Sequence, residues 1–67
     1  MNLVMRTERM RRGWTLDFVG AQIGCTKATV HDFEIGRRKP SYTVLCKLEE
    51  LFCMAHRELF AEAADGK

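Results

Sequence analysis

The sequence predicts an all-α fold, a compact bundle of five short helices forming one domain over residues 1–64. Three observations carry that expectation. Apolar residues recur at helical spacing in short segments, and residues suited to helix caps and stops separate those segments. The third is size: 67 residues at 46% hydrophobic make one small domain, near the lower limit of what folds without staples, so its helices must pack efficiently or gain buried area by dimerising.

Helix 1 is expected over residues 3–12, with Met5 and Met10 turned inward as core filling and Trp14 just past Gly13 as a core anchor. Thr15 can cap helix 2, whose apolar Leu16, Val19 and Ile23 fall at i, i+3 and i+7, with Asp17 in the first turn where the helix dipole favours an anion. Gly20 sits inside that helix, at a cost of roughly 0.5–1 kcal/mol relative to Ala. Close approach of helix 3 would explain it. Gly24 supplies a turn residue free to take positive φ, and Thr26 can cap helix 3, whose inward residues are Val30 and Phe33. Gly36 ends helix 3, the basic run Arg37, Arg38, Lys39 follows, and Pro40 stops continuation. Ser41 opens helix 4 over residues 41–52, with Leu45, Leu48 and Phe52 inward. A short helix 5 over about residues 56–63 carries Leu59 and Phe60, and residues 65–67 are expected to form a disordered tail.

Composition narrows the function. Three cysteines, Cys25, Cys46 and Cys53, form no CxxC pair and leave one over in any disulfide scheme, which points to reduced thiols in a cytoplasmic protein. They read as small buried hydrophobes. His31 and His56 complete no zinc spacing, so no metal or other cofactor is assigned. Ser41 has no His and acid partner, and no Gly-rich phosphate loop appears, which speaks against an enzyme. The apolar run Leu3 to Met5 is too short for a signal segment or a membrane span. Charge is uneven: residues 1–39 hold eight Lys or Arg against four acids, and residues 40–67 hold three against five. A one-sided positive field suits a polyanion.

The stretch Trp14 to Pro40 sets two short helices either side of Gly24 at the spacing of a DNA-binding helix-turn-helix. These residues resemble the lambda-repressor and Cro family, the XRE type, over about residues 3–60. The match runs through Val19-Gly20, Ile23, Gly24, Val30, Glu34-Ile35-Gly36, Arg37 to Lys39 and Pro40. It departs at three positions. Leu16 stands where many members carry a phosphate-touching Gln, Gly20 replaces the usual Ala, and Cys53 replaces the Gly or Asn that usually ends the fourth helix.

The resemblance implies a lambda-repressor-like bundle whose helix 3 lies in the major groove of double-stranded DNA. It implies base contacts from Thr26, Lys27, Ala28 and Asp32. Lys27 can donate to guanine O6 and N7, Ala28 can touch a thymine methyl, and Asp32 either accepts from a cytosine amino group or pairs with Arg37 or a basic residue of a partner. Phosphate contacts fall to Thr29, Arg37, Arg38, Lys39 and Tyr42. It also aligns Arg9 and Glu34 with a structural ion pair joining helix 1 to the end of helix 3. The expected function is transcription regulation by a small repressor or controller of the phage or mobile-element kind, acting as a weak or DNA-promoted homodimer, with RNA polymerase a further possible partner. Met54, Leu59 and Phe60 are the expected dimer seam. The rival is a protein-interaction module, such as an antitoxin that masks a toxin, with DNA binding secondary or lost.

Overall fold

The computed structural model describes residues 2–63, so the expected tail and the boundary at residue 64 lie outside the described residues. Five helices follow in order: α1 Val4–Arg11, α2 Leu16–Ile23, α3 Lys27–Glu34, α4 Tyr42–Phe52 and α5 His56–Leu59. Local chemistry sets three of their starts. The hydroxyls of Thr15, Thr26 and Ser41 accept from the backbone N–H three residues on, at Phe18, Thr29 and Val44. It also sets two of their ends. Gly24 closes α2 in the left-handed region at φ 76°, and Cys53 closes α4 there at φ 56°, a conformation in which a side chain is uncommon.

The core is built from Met5, Val19, Ile23, Val30, Phe33, Leu48, Phe52 and Leu59, all essentially without solvent contact. Each helix contributes at least one. Trp14 and Leu16 are half-buried and pack against this cluster, with Trp14 meeting Phe52 edge-on at 5.3 Å between ring centroids. Arg12 covers that corner. Its guanidinium lies over both rings and donates to the Phe52 carbonyl at 3.0 Å, satisfying one of the carbonyls at the end of α4.

Four sequence expectations are corrected. Met10 is 52% exposed. Five residues advance an α-helix about 500°, which sets Met10 roughly 140° from the inward Met5. Leu45 is half-buried and outside the core, and Val44, also half-buried, is the residue of that turn of α4 that packs against it. Cys53 is exposed, because it stands at the turn where α4 has ended. Helix α5 stops at Leu59, not near residue 63. Past it the chain runs antiparallel to the first residues: Val4 N–H donates to Ala61 O at 2.9 Å, Ala63 N–H donates to Asn2 O at 3.0 Å, and Leu3 faces Glu62 in a single β-bridge.

Gly20 owes its place to close contact, though with the turn more than with α3. A Cβ there would stand 2.5 Å from the Cys25 carbonyl oxygen and 3.4 Å from the Thr26 carbonyl carbon. The Gly20 carbonyl in turn accepts from Cys25 N–H at 2.8 Å, so α2 and the turn are pressed together. On an open helix Gly→Ala would stabilise by roughly 0.5–1 kcal/mol. Here we expect Gly20→Ala to destabilise by about 1–2 kcal/mol, because backbone must move. Denaturant midpoints decide it, and a raised midpoint would show that the turn yields.

Candidate nucleic-acid interface

Helix α3 buries Val30 and Phe33 and turns the rest of its first two turns outward. Lys27, Ala28 and His31 are exposed on it, while Thr29 and Asp32 are half-buried. Thr26, also exposed, has a hydroxyl engaged locally: it accepts from Thr29 N–H at 3.2 Å and shares a hydrogen bond with the Thr29 hydroxyl at 3.1 Å. What Thr26 leaves for a base edge is mainly its methyl group.

Asp32 lies where α3 meets the basic loop. Its carboxylate is 3.8 Å from the Arg37 guanidinium, and its carbonyl accepts from Arg37 N–H at 2.9 Å. The residue therefore organises the loop that follows it. Gly36, at φ 80°, makes the turn, and Arg37, Arg38 and Lys39 stand exposed beyond it. Tyr42 opens α4 with 81% of its surface in solvent. Leu16, where the resembling family often has Gln, instead packs on the core.

Behind α3, Arg9 Nε donates to Glu34 Oε2 at 2.6 Å and Nη2 donates to Oε1 at 3.3 Å, a two-pronged pair. Its remaining Nη1 donates to the Trp14 carbonyl at 2.8 Å. Glu34 is fully buried and the Arg9 side chain is 13% exposed. One guanidinium thus joins α1, the end of α3 and the turn into α2.

His31 is not among the base contacts expected from the sequence. It is exposed one helical turn after Lys27, on the same face, and its i+4 spacing was the available signal. The expected seam residues divide. Leu59 is fully buried in the core and cannot contribute to a surface seam, since so short a helix needs its one large aliphatic residue to dock itself. Met54 and Phe60 are half-buried against the core and keep some surface.

Two carboxylates outside the interface brace the helices. Arg11 and Arg12 hydrogen-bond to Glu8 and hold its carboxyl below the ordinary value of 4.5, and His56 does the same to Glu49, ring and backbone N–H together. A carboxylate whose folded pKa lies below its unfolded pKa stabilises the fold above the unfolded value and ceases to as pH falls through the folded one. The Glu8→Gln, Glu49→Gln double variant should melt below wild type at neutral pH and converge with it below pH 4.5. A gap that persists at acid pH would mean that neither charge matters.

Among the described residues no three His, Cys, Asp or Glu side chains cluster to hold a metal, and no helix is long and apolar enough to cross a membrane. Two short capped helices joined at a positive-φ glycine, the second with a buried inner face and an open outer one, define a helix-turn-helix. The chain belongs to the helix-turn-helix domain family, of the XRE-like kind, with residues 3–63 matched. It is 38% identical over 53 residues to the HTH-type transcriptional regulator AnsR of Bacillus subtilis (strain 168). That similarity covers 78% of this chain and 46% of AnsR, so the chain spans just under half the length of this relative. No solved structure matches it significantly.

Proposed function

We propose that the domain is the sequence-reading part of a transcriptional regulator and represses by seating α3 in the major groove of an operator. The observation that carries this reading is the outer face of α3, where Lys27, Ala28 and His31 stand open beside the exposed cations Arg37, Arg38 and Lys39. Such a surface offers base-edge donors and a methyl in the groove and positive charge at the flanking phosphates. Thr29 and Tyr42 add hydroxyls to the phosphate contacts, and Asp32 holds the loop through Arg37. The protein acts by occupancy, not by chemistry, and its three free cysteines suit the reducing cytoplasm. This is the behaviour of a small phage- or mobile-element-type controller.

One recognition helix reads only a few base pairs, so the operator should be two-fold, with half-site centres about 34 Å apart or a multiple of that. Met54 and Phe60 form the seam of a DNA-promoted homodimer. Selection of bound sequences from random duplex DNA, followed by sedimentation with and without the selected site, tests both statements. We expect a palindromic sequence and two chains per duplex. A lone asymmetric half-site bound by a monomer would refute the dimer, and no enrichment at all would refute the function.

A further inference from the structure

Away from the outer face of α3, the loop after Gly36, the start of α4 and α5 enclose a groove of about 340 Å³. Phe33, Pro40, Leu45 and Phe60 give it apolar walls, open in the DNA-free chain before Phe60 enters the proposed seam, and Arg38 and Lys39 stand at its rim. Both cations are exposed and make no ion pair among the described residues. A concave apolar floor beside unpaired positive charge is complementary to a molecule with an apolar body and an anionic end. The volume is at the lower end of small-molecule sites, which suits a body of about two fused rings or a short chain.

We propose that this groove binds a small amphiphilic carboxylate, and that such a ligand competes with DNA. Its carboxylate takes the Arg38 and Lys39 charges that would otherwise meet phosphates, so ligand and operator cannot both be fully engaged. The competition rests on the reading of these two cations as phosphate contacts, whereas the site itself does not. Reciprocity follows, since whatever weakens DNA binding on ligand addition must weaken ligand binding on DNA addition by the same factor.

The test uses 1-naphthoate as the probe, with 1-naphthylmethylammonium and 1-naphthalenemethanol as its cationic and neutral counterparts, and reads amide and side-chain NMR shifts of the DNA-free protein. For a probe of this size we expect a Kd of about 1 mM or tighter, with shifts centred on Phe33, Leu45 and Phe60, and the cationic counterpart at least about tenfold weaker. Arg38→Gln, at an exposed position with no ion pair to lose among the described residues, should weaken 1-naphthoate about tenfold. Leu45→Gln should weaken it comparably while leaving affinity for the selected operator unchanged, its fold being checked by the unaltered shifts of α2. Equal binding of the anion and the cation, or shifts centred on Trp14 and Phe18 instead, would overturn the site. Groove shifts at saturation with operator affinity unchanged would overturn the competition, and groove shifts in a protein that selects no DNA would sink the proposed function while leaving the site standing. Tight capture of an acidic peptide with no response to 1-naphthoate would show that the occupant is a protein segment and overturn the small-molecule proposal.

Discussion

Glu34→Ala is expected to destabilise the domain by about 3–5 kcal/mol, the range for removing one member of a buried ion pair. The reason is what remains. Arg9 keeps only the Trp14 carbonyl as a partner while 13% exposed, so most of its charge faces neither water nor an anion. A chain of this length has a total stability of roughly 3–10 kcal/mol, which means that the variant approaches or passes its unfolding point at room temperature. An exposed pair would contribute at most about 1 kcal/mol, and the full burial of Glu34 separates the two cases. Arg9→Met combined with Glu34→Leu should recover much of the loss, because it removes both charges and fills the buried site with apolar volume. Recovery should be incomplete, since the Trp14 carbonyl loses its donor. Chemical denaturation of the three proteins gives the comparison, and equal midpoints for wild type and Glu34→Ala would remove the pair from the account of stability.

Lys27→Ala is expected to weaken binding to the selected operator by about 1–3 kcal/mol and to relax preference at one base pair. It should leave the fold untouched. Lys27 is exposed at the first turn of α3, and Thr26 rather than Lys27 caps the helix. Arg37→Ala or Arg38→Ala should instead weaken all sequences alike and lower the slope of log affinity against log salt by about one. Binding measured at several salt concentrations on selected and scrambled duplexes separates the two behaviours. If Lys27→Ala changed neither affinity nor preference, α3 would not be the reading element.

Much of the fold is local and was therefore legible. Thr15, Thr26 and Ser41 announce three helix starts, because a capping hydroxyl acts on an N–H three residues away. The spacing of Val30 and Phe33 marks the buried side of α3 and, by subtraction, the open one. What escaped the reading is set at a distance. The early stop of α5 depends on residues 61–63 pairing with residues 2–4, for which no short window carries a signal. Arg12 has no pattern of its own, and its place over Trp14 and Phe52 exists only once α1 and α4 are packed. His31 lay in plain view at helical spacing, but a count of Lys, Arg, Asp and Glu passes over it. The groove draws its walls from separate segments, so no single motif could disclose it.

The hydrogen bond of 3.0 Å from Ala63 to Asn2 makes the described chain almost a closed ring. A ring has no privileged opening. Residues 2 and 63 could be joined through a few glycines and the backbone cut instead at the exposed Gly13 turn, giving a circular permutant with the same helix packing. By the same geometry the domain could be spliced into a loop of an unrelated protein, because both junctions would leave from one point and the host loop would need to span almost no gap.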